Sequence, residues 1–307
     1  MSGTLRVGTR GSALALAQSG KVADQLARAS GGTVELVKIR TEGDVNLGPL
    51  AAIGGTGVFV IGVRSRLLAG DVDVAVHSLK DLPTASAAGI ALAAVPVRED
   101  PADALCARDG LTLDTLPRGA TVGTGSPRRT AQLLRLRPDL RIRAVRGNVD
   151  TRLAMVTSGS LDAVVLAVAG LSRLGRSTAM TQRLGPELML PAPAQGALAV
   201  EARLAEFETA WYAMGFRDLE DKATRSAITA ERSLLGALEA GCTAPVGAFA
   251  VVEDERLTMT GAVIAVDGSR EVRGSLSGPT SRAREIGIEL AGQLIEDGAA
   301  TLLAAER

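Results

Sequence analysis

Residues 73–83 read Asp73-Val-Ala-Val-His-Ser-Leu-Lys-Asp-Leu-Pro83 and hold the only His of the chain and one of its four Lys. Val72, Val74 and Val76 alternate with Asp73 and Ala75, which predicts a buried strand over 72–76. His77, Ser78, Lys80 and Asp81 follow at its end, and Pro83 stops any helix that starts there. Polar groups at the carboxyl end of a buried strand stand where open α/β sheets hold their ligands. A carboxylate next to an ammonium above an apolar sheet can be tuned for proton transfer. The same two residues also fit a solvated Lys–Asp pair on a loop.

Outward from this strand the pattern repeats. Residues 5–8 read as a strand, 13–29 as a helix ended by Ser30-Gly-Gly32, 34–40 as a strand and 58–68 as a helix, with a Gly-rich loop over 43–57. Strand and helix in alternation predict a parallel-rich sheet. Residues 90–95 are a further strand and 97–101 a linker. A second αβ unit follows, with strands at 104–107, 120–122, 141–145 and 163–168 and helices at 128–137, 149–158 and from 169. Ser126-Pro127 is an N-cap and N1 pair for the first of these helices, and Pro138 stops it. Residues 190–196 are a second linker, followed by a strand over 197–202. Two linkers bracketing one αβ unit imply that the chain leaves its first domain and returns to it. That is the topology of two-lobed binding proteins, with a cleft between the lobes.

From residue 218 the pattern changes to a helix over 223–240, alternating strands over 246–252, 256–266 and 271–277 with a hairpin turn at Asp267-Gly268, and an amphipathic helix over 281–299. The expected fold is α/β: two periplasmic-binding-protein-like lobes with parallel-rich sheets and a small α+β C-terminal domain with a three-stranded antiparallel sheet. Domain 1 is 1–96 with 197–216, domain 2 is 97–196 and domain 3 is 217–307.

With 307 residues, two or three cores are affordable, and with 2% aromatics they must be built from small aliphatic side chains. The formal net charge of +0 supplies no basic field for nucleic acid. Cys106 and Cys242 cannot make a disulfide framework, and no Cys/His spacing suits a metal, so none is expected. No signal peptide is apparent, and the longest apolar run, 163–171, is too short to cross a bilayer. A cytoplasmic protein with no membrane partner is expected.

The basic residues are thirty Arg against four Lys, and eight Arg lie between Arg128 and Arg152, opposed within that window only by Asp139 and Asp150. Four Arg-bearing turns fall at predicted strand-to-helix junctions. Arg10 and Ser12 precede the first helix, Arg128 and Arg129 open the helix after Ser126, Arg146 and Arg152 flank the helix start at Val149, and Arg173 lies in the first turns of the last. Free backbone N–H groups at such junctions favour anions, and Arg adds bidentate recognition of carboxylates. Cations in a first turn oppose the helix dipole, so on this reading they serve a ligand with many carboxylates rather than stability. The other reading is a set of solvated surface cations. Gly54-Gly-Thr-Gly57 and Gly123-Thr-Gly-Ser126 match no phosphate-loop pattern.

His77-Ser-Leu-Lys-Asp-Leu-Pro83 resembles the active-site segment of the porphobilinogen deaminase (hydroxymethylbilane synthase) family. Arg6-Val-Gly-Thr-Arg-Gly-Ser12, Gly123-Thr-Gly-Ser-Pro-Arg-Arg129, Arg146-Gly-Asn-Val-Asp-Thr-Arg152, Gln195-Gly-Ala197 and Gly241-Cys-Thr-Ala-Pro-Val-Gly247 agree in the family's order. The resemblance implies stepwise head-to-tail condensation of four porphobilinogen molecules to hydroxymethylbilane with loss of ammonia. It implies Asp81 as the catalytic acid. Arg10, Ser12, Lys80, Ser126, Arg128, Arg129, Arg146, Arg152, Arg173 and Gln195 would hold carboxylates, and a monomer is expected. Cys242 follows Gly241, the predicted C′ residue of the helix ending at Ala240, and by itself reads as a small buried thiol. The resemblance makes it the thioether anchor of a dipyrromethane cofactor. Phe59 is a candidate for ring packing or for helix core. The chain departs from the family at Thr56, Ile61 and Gly62, where Lys or polar pairs are common, at Pro127, where Leu is common, and in the segment 207–217. A solute-binding protein and an RNA-binding protein are the rivals: the first lacks a use for Lys80-Asp81 and the Cys loop, the second lacks charge and aromatics.

Overall fold

The computed structural model of the chain describes residues 3–40, 60–241 and 244–304. Thr56, Phe59 and Cys242 lie outside the described residues. The chain divides into two compact units, Met1–Glu99 with Ala197–Arg225, and Asp100–Gly196 with Ser226–Arg307.

The first unit opens with β1 (Thr4–Arg10), α1 (Ala13–Ser30), β2 (Thr33–Ile39), α2 (Ile61–Leu68), β3 (Val74–Ser78) and β4 (Ile90–Ala94). The hydroxyl of Ser12 caps α1 by accepting from the Ala15 N–H at 3.2 Å, and Gly31, at φ 68°, ends the helix in the left-handed region. The second unit supplies β5 (Asp103–Ala107), β6 (Thr121–Gly123), α3 (Pro127–Leu136), β7 (Arg141–Arg143), α4 (Val149–Thr157), β8 (Ala163–Ala167), α5 (Val168–Arg173) and β9 (Gln182–Leu184). The chain then returns through β10 (Leu198–Arg203) and α6 (Ala213–Leu219) to α7 (Lys222–Ala237). It finishes with β11 (Val246–Glu253), β12 (Arg256–Ile264), β13 (Glu271–Pro279), α8 (Ala283–Glu296) and α9 (Ala299–Ala304).

The two five-stranded sheets have matching architecture. One has the order β2-β1-β3-β10-β4 and the other β7-β6-β8-β5-β9. In the first, β1 runs parallel to β2 and β3, and β10 is antiparallel to β3 and β4. In the second, β6 runs parallel to β7 and β8, and β5 is antiparallel to β8 and β9. Each is therefore a parallel set with one inserted antiparallel strand. Both faces of each are covered, which is why β3 and β8 read as continuous apolar runs. On the first sheet α1 and α6 build one core with Val7, Leu26, Val74, Val200 and Phe216, and α2 builds the other with Val63, Leu67 and Val72. On the second, Leu133 of α3 and Val156 of α4 lie in cores on opposite faces.

The segment 207–217, which sequence reasoning leaves unplaced, completes the first core. Tyr212 and Phe216 are buried with ring centroids 5.7 Å apart, and Trp211 packs edge-on against Tyr212. A Cβ on Gly215 would come within 2.9 Å of Leu26, so Gly here lets α6 approach α1 closely.

The third sheet, β11-β12-β13, is antiparallel, and α7 and α8 cover one face through Leu234, Ile286, Leu290 and Leu294. Its first hairpin turns on Asp254 and Glu255, both at positive φ, and its second on Asp267-Gly268 as the sequence predicts. Within the second unit that turn abuts α3, because a Cβ on Gly268 would lie 2.5 Å from the Arg135 backbone N. Arg135 Nε also donates to Glu271 at 2.8 Å.

Candidate active site

In the first unit the candidate residues sit at one edge of the sheet. β1 and β3 are parallel, with Gly8 opposite Ala75, so Arg10 and the turn after Ser78 leave the sheet at the same carboxyl end. A 3-10 turn over Leu79–Asp81 follows β3. Leu79 and Leu82 are buried, and the Leu79 N–H donates to the Ala197 carbonyl at 3.0 Å. Two buried leucines thus pin the turn and leave Lys80 half-buried and Asp81 exposed. Arg10 is half-buried. The Ser78 hydroxyl meets Gln18 of α1 at 3.2 Å.

Beneath that turn is a buried ionic group that sequence reasoning does not find. Glu201 of β10 accepts from Arg64 Nε at 2.9 Å and Nη2 at 2.6 Å. His77 Nε2 lies 3.4 Å from Glu201 Oε2 without a formed hydrogen bond, and Arg64 supplies the main partner. Burial alone would raise the pKa of Glu201, but Arg64 and then His77 outweigh it and bring it to about 2. His77 is therefore a buried neighbour of a structural carboxylate.

In the second unit the Arg turns gather at the carboxyl edge of β6, β7 and β8. Ser126 caps α3 by accepting from the Arg129 N–H, with Pro127 in the first turn. Gly125 is needed here because a Cβ would lie 2.8 Å from the Val145 carbonyl oxygen. Asn148 caps α4 through Thr151, and Gly147 at φ 107° makes the turn before it. Arg146 is exposed, and Arg152 is half-buried with Nε donating to the Gly147 carbonyl at 2.9 Å. Burial lowers the pKa of Arg152, and the like charges of Arg129 and Arg146 lower it further. Arg173 donates to the Gly196 carbonyl at 2.5 Å.

Two expectations are corrected. Arg128 and Arg129 are not without a part in stability: they are 3% and 6% exposed, and Asp103 pairs with both at 2.8 and 2.7 Å. Truncating either therefore costs stability. Arg173 ends the six-residue α5 and so lies within its first two turns, as the sequence predicts. The run from Arg128 to Arg152 is not one cluster, since Arg135 pairs with Glu271 and Arg137 with Asp139.

Comparison with known proteins identifies the family. A family model described as porphobilinogen deaminase, dipyromethane cofactor binding domain, matches residues 5–210, and the C-terminal domain of the same family matches 226–296. A porphobilinogen deaminase of Nocardia farcinica is 54% identical over 97% of this chain and 88% of its own. Those of Thermobifida fusca and Mycobacterium tuberculosis are each 52% identical over 97% of this chain and 95% and 98% of theirs. The chain belongs to the porphobilinogen deaminase family. Among solved structures, a periplasmic substrate-binding protein from Coxiella burnetii is similar with TM-score 0.46 and 16% identity, covering 72% of this chain and 94% of that one.

Membership makes the chain a transferase of porphyrin biosynthesis that uses a dipyrromethane cofactor. The described residues suit such a group. Dipyrromethane carries carboxylates on each ring, and the charges acting on Arg152 are those of Arg129 and Arg146, cations crowded onto one edge. Cys106 is no competitor for the attachment, since it is buried in β5 and burial pushes its thiol up to about 12. No helix among the described residues is long and apolar enough to cross a membrane.

The sequence reading missed Asp103 and Glu201. Asp103 lies 25 positions before Arg128, outside the window in which charges were balanced, and Glu201 is hidden in the apolar strand 197–202. The one local signal was an acid inside an otherwise apolar strand, which is rare unless the acid is paired.

Proposed function

We propose that this chain condenses porphobilinogen head to tail with Asp81 as its acid–base group and Cys242 as the anchor of its primer. The observation that carries the reading is the exposed Asp81 beside Lys80, held out by the buried Leu79 and Leu82. A carboxyl group there can give a proton to the departing amine of porphobilinogen, then as carboxylate accept from the pyrrole N–H and offset the positive charge left on the ring.

Dipyrromethane, when bound, supplies the terminal pyrrole carbon to which each new ring is joined. Arg10, Ser12, Lys80, Ser126, Arg128, Arg129, Arg146, Arg152, Arg173 and Gln195 form the set that holds carboxylates. Their parts differ. Ser12 and Ser126 already cap helices, so they present helix N-termini rather than free hydroxyls. Gln195 is 1% exposed and is spent on Asp103 and the Pro101 carbonyl, so its part is to brace the site. Arg146 is the exposed cation of the set, and Arg10, Lys80, Arg152 and Arg173 are half-buried. The chain works as a monomer in the cytoplasm without nucleic acid or metal, in three domains, 1–96 with 197–216, 97–196 and 217–307.

The test is intact mass after mixing with less than four equivalents of porphobilinogen. A ladder of species, each heavier than the last by one pyrrole unit, with ammonia released in step, is expected. An unchanged polypeptide mass alongside consumed substrate would contradict the reading.

A further inference from the structure

Asp103 is the first residue of β5 and is fully buried. It pairs in register with Ala167 at the carboxyl end of β8, which sets it on the edge where the Arg turns gather. Oδ1 accepts from Arg129 Nε at 3.0 Å, Arg129 Nη2 at 2.7 Å and Gln195 Nε2 at 2.8 Å, and Oδ2 accepts from Arg128 Nη1 at 2.8 Å. Burial works to raise its pKa, and Arg128 and then Arg129 overcome that and hold the carboxyl far below its ordinary range.

Both guanidinium groups are braced a second time. Arg128 Nη1 also donates to the Leu190 carbonyl at 2.6 Å, and Arg129 Nη1 to the Val165 carbonyl at 2.9 Å. An Arg carries five N–H donors, so in Arg129 these bonds leave about two unspent. Arg128 keeps this direction although its buried Nε has no acceptor. A group built for the fold alone would match one acid to one base, because a surplus buried charge is costly. Here one carboxylate serves two cations, and the like charge of Arg152 also acts on Arg129.

We propose that Asp103 is a positioning residue for the reaction. It fixes the directions of Arg128 and Arg129 so that their remaining N–H groups meet carboxylates of the primer and the growing chain. Through Gln195 it ties that fork to the 190–196 linker. The proposal rests on the carboxylate-binding role given above to the Arg set. Asp103 touches no substrate and acts only through its two arginines.

The test compares Asp103→Asn, Arg128→Met, the double variant Asp103→Asn with Arg128→Met, and Leu133→Ala, a cavity in the same unit's core. The double variant removes one charge of each sign and keeps the question open if the single variant does not fold. Urea midpoint, the fraction of chains bearing the primer, and KM and kcat for porphobilinogen are read on folded protein. Leu133→Ala should lose stability with KM and primer load unchanged. The double variant should show a KM raised, or a primer load lowered, well beyond Arg128→Met alone, by up to roughly 10²-fold for a misplaced Arg129. Equality of the double variant with Arg128→Met, or failure of both Asp103 variants to fold, would make Asp103 structural and overturn the proposal. A wild type without adduct or ammonia release would instead refute the function itself.

Discussion

Replacing Glu201 by Gln should remove the buried anion beneath the Asp81 turn, and its cost can be worked from the structure. Glu201 is 3% exposed and its pKa falls from the ordinary 4.5 to about 2, which corresponds to about 3 kcal/mol. Breaking a buried pair by removing one partner gives ~3–5 kcal/mol, because Arg64 is left uncompensated. The pH dependence has a definite sign. The folded-state pKa lies below the unfolded one, so the stabilisation is complete above about pH 4.5 and is lost as pH falls through 2. Urea unfolding followed by fluorescence suits the test, since the only Trp, Trp211, lies in the same unit as Glu201. Wild type should exceed Glu201→Gln by about 3 kcal/mol at pH 7, and the gap should close to about 1 kcal/mol at pH 3. A gap that is the same at both pH values would refute the argument that an ionised Glu201 supplies it.

Arg128→Leu should cost ~1–3 kcal/mol, measured by urea denaturation, because Asp103 and the Leu190 carbonyl each lose a buried donor while Arg129 still balances the carboxylate; a change under about 0.5 kcal/mol would return Arg128 to the class of surface cations. Asp81→Asn should fold, keep its adduct and lose turnover by ~10²–10⁴, measured as ammonia release. Near wild-type turnover would remove Asp81 from the mechanism. Cys106, with its thiol pushed up to about 12, should resist a thiol reagent at pH 8 in native protein and react only on unfolding. Rapid native labelling at Cys106 would contradict its burial.

Much of the fold was legible because it rests on local rules. The alternation at 72–76, the Ser126-Pro127 cap and the Asp267-Gly268 turn each predict an element that the structure contains. The partnerships of Arg128 and Arg129 were illegible. Net charge in a sequence window measures neighbours along the chain, while Asp103 reaches them through the pairing of β5 with β8. Arg64, Glu201 and His77 likewise come from three separate elements, joined only by the order of the first sheet and the packing of α2 upon it. Tyr212 and Phe216 lie in a segment that the family resemblance leaves unplaced, yet they fill a core otherwise made mostly of small aliphatic side chains.

The central claim is that the chain grows its product on a primer anchored at Cys242. Peptide mass mapping of active, unlabelled protein tests it most directly. The account predicts a dipyrrole on the peptide containing Cys242, an unmodified Cys106 peptide, and a bare 31.4 kDa polypeptide without activity for Cys242→Ser. A dipyrrole on Cys106, or fully active protein with no adduct on either cysteine, would contradict it.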